Sequence, residues 1–232
     1  MVKYKMKIID IKQEAKGVKS YIFEKPADFM WEEGAHTHIG LVGFDEGEKP
    51  NKSLIRHMSI MTLPGEGKVG ITTRVPGSSS EFKNKLSELK IGDEVILFKI
   101  GSRMFLRRSN RPIILVSMGV GIATMRPVIH AYVADSTDIP LLINMNVASS
   151  GEFIFKEEFI KLENDRFKNY WLNSRSEFYE ELQNIMKIDN AIYYIVGSDL
   201  FIKDVISQLR SNNISRDDII LDKKEEVLPQ FF

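Results

Sequence analysis

The chain has 232 residues, 43% of them hydrophobic and 28% charged, with 32 Lys+Arg against 32 Asp+Glu and a formal net charge of zero. This is material for one large domain or two of about 100–130 residues each. It excludes a wholly disordered chain and shows no overall basic footprint for nucleic acid. Cysteine is absent, which excludes disulfides, thiolate zinc sites and cysteine-ligated iron–sulfur clusters, so any electron transfer must run through an organic cofactor.

In chain order, Lys5–Ile11 and Val18–Glu24 read as strands around a turn at Ala15–Gly17. Strands at His36–Phe44, Ser53–Met61 and Lys68–Val75 follow, each bounded by Gly, Pro, Asp or Asn. Short strands at this spacing predict an antiparallel β-barrel or sandwich. In Ser79–Leu89 the apolar residues Phe82, Leu86 and Leu89 recur at helical spacing, which predicts a short amphipathic helix. A turn at Ile91-Gly92-Asp93 and a strand at Glu94–Ile100 complete this part.

The rhythm changes after Arg111-Pro112. Ile113–Met118 is an unbroken apolar run, as expected of a strand covered on both faces. Helix Ala123–Ala134, strand Ile139–Met145, helix Phe155–Leu162, strand Phe167–Leu172 and helix Glu177–Met186 follow. Strand Ala191–Val196, helix Leu200–Arg210 and strand Asp218–Leu221 end the series. Such alternation predicts an α/β domain with a parallel sheet, divided from the barrel near Phe105–Asn110. The expected domains are therefore residues 1–108 and 109–232. No apolar run approaches the roughly 18 residues of a membrane helix. The lysines of Met1–Lys7 precede no apolar signal region. A soluble cytoplasmic protein without membrane or nucleic-acid partners is expected.

Ligands of open parallel sheets bind beyond the carboxyl ends of the strands, and two short motifs lie there. Met118-Gly119-Val120-Gly121-Ile122-Ala123 joins a buried strand to a helix. It reads either as a phosphate cradle at a helix N-terminus or as a plain tight turn. Val196-Gly197-Ser198-Asp199 follows the fourth strand and leaves room for a flat ring, or simply caps the next helix. In the barrel, Arg56-His57-Met58-Ser59 puts an arginine on a half-buried strand, where a phosphate suits its forked donors. A carboxylate partner or a solvent-facing side chain is the alternative. Pro76-Gly77-Ser78-Ser79-Ser80-Glu81 opens the amphipathic helix as an anion site, a Ser78–Glu81 capping box, or both. His36 and His38 face the same way on a strand, but no carboxylate motif accompanies them and no metal site is expected. There is no Gly-x-Ser-x-Gly nucleophile elbow.

In this order the pieces resemble the ferredoxin–NADP reductase superfamily over nearly the whole chain. The family's Arg-x-Tyr-Ser motif, followed by Ile, is similar to Arg56-His57-Met58-Ser59-Ile60. Its Gly/Ser segment, helix and Lys-x-Gly-Asp turn are similar to Gly77–Ser80, Leu86 and Lys90-Ile91-Gly92-Asp93. Gly-Gly-Thr-Gly-Ile-Ala-Pro is similar to Met118–Thr124, and Tyr-x-Cys-Gly-Pro to Tyr194–Ser198.

The resemblance implies an N-terminal flavin-binding β-barrel and a C-terminal nicotinamide-binding α/β domain. It implies NADPH or NADH giving hydride to FAD rather than FMN, and electrons passing to a separate acceptor, protein or small molecule. Arg56 would bind a flavin phosphate, with His57 and Met58 beside it, and Ser59 would lie near the reactive N5. Thr72, Thr73 and Arg74 would line the ribityl and pyrophosphate path; Gly77 with Ser79 or Ser80 would hold phosphate. Gly119, Val120 and Gly121 would cradle the dinucleotide, with Gly197 and Ser198 opposite. Ser174 and Arg175 would meet a 2′-phosphate, and Phe232 would stack on the flavin ring. Met58, Val120, Thr124, Val196 and Ser198 depart from the family's Tyr, Thr, Pro, Cys and Pro. A flavin- or dinucleotide-binding regulatory protein with weak or no turnover is the second reading; a cofactor-free α/β protein with a partner-binding barrel is the third.

Overall fold

The structure, a computed structural model, describes residues 2–75 and 80–232. The chain divides into two compact units, the first ending at Phe105 and the second running Leu106–Phe232.

The first unit holds β1 (Lys3–Ala15), β2 (Val18–Glu24), β3 (Ala35–Leu41), β4 (Ile55–Ser59), β5 (Lys68–Arg74), helix α1 (Glu81–Glu88) and β6 (Glu94–Ser102). They form one six-stranded antiparallel sheet in the order β4-β3-β6-β1-β2-β5. β1 is longer than its apolar pattern predicts because it serves two partners. Its first half, Lys3–Lys7, pairs with β6, and the stretch from Ile8 onward pairs with β2, with a register shift between Ile8 and Asp10. Bulges of this kind bend a strand, and the sheet is barrel-like without full closure. The edge strands β4 and β5 share no ladder. The chain just past β4 turns to β5, where Met61 N–H donates to Gly70 O at 2.8 Å. Tyr21, Phe23, Phe29, Ile39, Ile71 and Leu97 fill the interior, and α1 adds Phe82 and Leu86.

The second unit holds β7 (Ile113–Met118), α2 (Ile122–Ala134), β8 (Leu142–Val147), α3 (Lys156–Ile160), β9 (Phe167–Leu172), α4 (Arg175–Ile185), β10 (Ile192–Val196), α5 (Asp199–Ser211) and β11 (Ile219–Leu221). All five strands are parallel, in the order β11-β10-β7-β8-β9. The order reverses between β7 and β10, which makes the gap beyond their carboxyl ends the topological switch point. Phe178 and Leu182 of α4 and Phe201, Ile202 and Val205 of α5 pack on Ile114, Val116, Met145, Tyr193 and Ile195. Among the described residues, no helix is long and apolar enough to cross a membrane.

An ionic clip ties α3 to α2. Arg126 Nε and Nη2 donate to Glu158 at 3.1 and 2.7 Å, and His130 Nε2 donates to Glu158 Oε1 at 2.7 Å. Burial raises the Glu158 carboxyl, but the hydrogen bonds and charges of His130 and Arg126 outweigh it and bring the pKa from 4.5 down to about 2. The stability this adds is complete above pH 4.5 and is lost as pH falls through about 2. Glu158→Gln should abolish it. In urea titrations the stability gap between wild type and Glu158→Gln narrows from pH 4.5 toward pH 2 and is flat above pH 5.

Candidate functional site

In the first unit the site is built where β4 meets the start of α1. Ser80 is the N-cap of α1, and Arg56 Nη2 donates to its hydroxyl at 2.9 Å. Arg56 Nη1 donates to Ile55 O at 2.7 Å, and the guanidinium lies 5.9 Å from the centre of the Phe82 ring. Ser53 Oγ donates to Glu81 Oε2 at 2.5 Å, tying the turn ahead of β4 to the same helix end. That bond, with those from Lys85, holds the Glu81 carboxyl below its usual value.

Lys83, one turn into α1, shares this region. Burial lowers its pKa first, and the charges of Arg56 and Arg74 lower it further. The charges of Arg56 on β4 and Arg74 on β5 therefore both reach Lys83 on α1. Among the described residues no carboxylate pairs with any of them. Lys83 escaped the sequence reading because a lysine on a short amphipathic helix looks like its solvated face. Gly77 and Ser79 lie outside the described residues, as does Ser78.

Met58 shares Arg56's side of β4 and is half-buried against the core. Ser59 ends β4 opposite His36. His57 is exposed on the other side, its ring 4.3 Å from that of His36 and 5.4 Å from that of His38. Among the described residues no such group is arranged to hold a metal. Thr72 and Thr73 are buried on opposite sides of β5. The Thr72 hydroxyl is used within the sheet, 2.7 Å from Ser20 Oγ and 2.9 Å from Met61 Sδ.

In the second unit the two glycine motifs come together at the switch point. Val196 and Ser117 are register partners, so the turns after β10 and β7 leave the sheet side by side. Gly119 has φ +54, the left-handed region that favours glycine. Gly121 permits close approach: a Cβ there would lie 3.0 Å from Val196 O and 3.2 Å from Val196 Cγ1. A Cβ on Gly197 would meet the Phe201 ring at 2.5 Å. Ser198 caps α5, accepting from Phe201 N–H at 3.3 Å, so the capping alternative holds there.

Ser174 caps α4 by accepting from Glu177 N–H at 3.1 Å, and Arg175 is the first helical residue. Arg175 Nη1 lies 3.5 Å from Asp204 Oδ2 on α5. Tyr179, a turn further on, has a buried hydroxyl without a hydrogen-bond partner among the described residues. Burial, then Asp204, raises its pKa, opposed by Arg175. Tyr179 was legible only as four residues after Arg175. The Phe232 ring lies 4.7 Å from the Arg216 guanidinium, and the neighbouring Phe231 ring lies within reach of Lys203 and Lys223.

Behind the Gly119 turn lies a buried polar group that sequence reasoning missed. Asn146 on β8 is 1% exposed, and its Nδ2 is 2.8 Å from Ser117 Oγ and 3.3 Å from both Ser117 O and Gly119 O. The alternation Asn144-Met145-Asn146 inside an apolar strand was the available signal.

No protein-family model matches the sequence, and no curated protein matches it. Solved structures do. A ferredoxin NADP+ reductase from Neisseria gonorrhoeae with bound FAD and NADP has TM-score 0.78 at 14% identity, over 95% of this chain and 98% of that one. The cytochrome b5 reductase domain of Ulva prolifera nitrate reductase has TM-score 0.75 at 13% identity, over 95% and 97%. A flavohemoglobin from Malassezia yamatoensis with bound FAD and heme has TM-score 0.74 at 15% identity, and this chain covers 60% of its length. The chain has the two-unit fold of ferredoxin–NADP reductase-like proteins.

The packing at Gly197 makes a direct prediction. Gly197→Ala forces a methyl into the fully buried Phe201 ring and should cost about 1–3 kcal/mol. Urea denaturation at neutral pH would show a lower midpoint with an unchanged slope.

Proposed function

We propose that the chain is an NAD(P)H-dependent flavoprotein reductase. Residues 1–108 hold FAD, residues 109–232 hold the nicotinamide dinucleotide, and electrons leave to a separate protein or small-molecule acceptor. The observation that carries this reading is the placing of Arg56 against the N-cap of α1, with the charges of Arg56 and Arg74 bearing on Lys83, while Glu81 at that helix end is engaged by Ser53 and Lys85. Cations gathered in this way fit an anionic ligand, and a helix N-terminus adds N–H donors for phosphate. The fold and the paired glycine turns supply the second half of the reading.

A bound flavin would supply the chemistry here, accepting hydride and releasing electrons singly or in pairs. The chain's own residues do the rest. Arg56 anchors the phosphate end through its fork, held in place by Ser80 and by its donation to Ile55 O. Lys83 and Arg74 neutralise the remaining charge, and Ser80, with Gly77 and Ser79, offers further polar contacts. Ser59, at the end of β4, is positioned as the hydroxyl nearest the reacting nitrogen, beside His57 and Met58. Thr73 lines the cofactor path, with Thr72 behind it. Gly119, Val120 and Gly121 present backbone N–H groups to the dinucleotide, and Gly197 keeps the facing turn low. Ser174, Arg175 and Tyr179 form the polar end that favours NADPH over NADH.

The visible spectrum of the purified protein, with identification of the released chromophore, tests the reading first. Anaerobic stopped-flow mixing with NADPH and with NADH then follows the flavin band. Bleaching is expected. A flavin that binds but is bleached by neither supports a binding or regulatory protein on the same fold, and a protein that takes up no flavin sinks the reading. Arg56→Ala should weaken flavin binding by about 1.5–3 kcal/mol, the scale of a hydrogen bond to a charged group. Unchanged flavin affinity in fluorescence titration would refute that role.

A further inference from the structure

Asn146 stands out because nothing in the sheet requires it. Its neighbours on the opposite side of β8, Ile143, Met145 and Val147, are buried and apolar, and an apolar side chain at 146 would avoid the desolvation of an amide. The amide is instead placed against the one turn the proposed dinucleotide depends on. It reaches the carbonyls of Ser117 and Gly119 and the hydroxyl of Ser117. All three partners accept, so the Asn146 amide acts there as a donor.

The consequence follows from the planar trans peptide. A carbonyl and the next residue's N–H point in opposite directions across that plane. Gly119 O is drawn toward buried Asn146 and also accepts from Ile122 N–H. The N–H of Val120 in the same peptide must then point away from Asn146, out of the sheet. Glycine at 119 has no Cβ to restrict the torsion that turns this peptide. The hydrogen bonds to its carbonyl, from Asn146 and from Ile122 N–H, therefore set which way the peptide faces.

We propose that Asn146 is a positioning residue for the dinucleotide: it fixes the Gly119–Val120 peptide so that the Val120 N–H faces the ligand side of the switch point. This rests on the functional reading above. It also accounts for valine at position 120, since the donor at this position is the backbone and not the side chain.

The test is calorimetric titration of the flavin-loaded protein with NADP+ and NAD+, which needs no turnover. Asn146→Leu should weaken whichever dinucleotide the wild type binds by at least tenfold, with flavin content and flavin absorption unchanged. Ser117→Ala, which leaves both carbonyl contacts in place, should stay within threefold of wild type. Asn146→Asp is the diagnostic variant. As a carboxylate it faces carbonyls with no donor, and as a carboxylic acid it regains one. Its binding deficit relative to wild type should narrow as pH falls from 8 to 5.5 while its flavin content and urea midpoint stay level over that range, which a merely structural loss would not do. If Asn146→Leu does not fold, Asn146→Asp decides. Wild-type binding with Asn146→Asp within twofold of it at every pH overturns this inference alone. A flavin-loaded wild type that binds neither dinucleotide overturns the functional reading and this inference together.

Discussion

The charges of Arg56 and Arg74 bearing on half-buried Lys83 are the constraint on which the functional reading rests. Burial lowers the Lys83 pKa first, and the two guanidinium charges lower it further. The isolated fold gains nothing from such a grouping. Elsewhere in the chain Arg126 pairs with Glu158, and Arg111 with Asp218 at 2.6 Å. At the start of α1, by contrast, Arg56 donates to neutral oxygens, those of Ile55 and Ser80.

On the proposed function the second unit would reach an anion by a different route. The attraction available there comes from backbone N–H groups at the start of α2, and those are useful only if the chain is close and correctly turned. Gly121 against Val196 provides the closeness, and left-handed Gly119 provides the turn. Precision in such a site is a property of the residues behind it. In the proposed site the residue behind the Gly119 turn is Asn146, whose amide reaches Gly119 O from the neighbouring strand.

The strand–helix order was legible because periodicity and turn residues report burial directly. β2, β7 and β9 end where their patterns end. β1 outran its pattern because half of its partners are on another strand, and a sequence window sees only one. The strand expected at Ser53–Met61 begins as a short 3-10 turn at Lys52–Leu54, since Asn51 accepts from Ser53 N–H at 3.0 Å and holds the chain out of the ladder. The helix expected from Glu177 starts at Arg175 because Ser174 caps it. Glycine motifs announced the switch-point turns, but their contact with each other is a matter of strand order that spacing does not encode. Lys83, Tyr179 and Asn146 were illegible for one reason. Each looks ordinary alone and acquires meaning only from a neighbour distant in sequence.

The substitutions that separate this chain from the family pattern follow the same division between fold and chemistry. Phosphates are held by formal charge and by backbone N–H groups, and both survive changes of side chain. Arg56, Gly119 and Gly121 are retained on that side. Ring atoms are met by hydroxyls, thiols and aromatic faces, which a single replacement removes; Met58, Val120 and Val196 are replacements of that kind. Val196 also has a steric duty, since its carbonyl and Cγ1 form the wall that Gly121 approaches. On the proposed function, affinity and turnover would therefore be carried by separable sets of residues, and the retained set is the one that would bind.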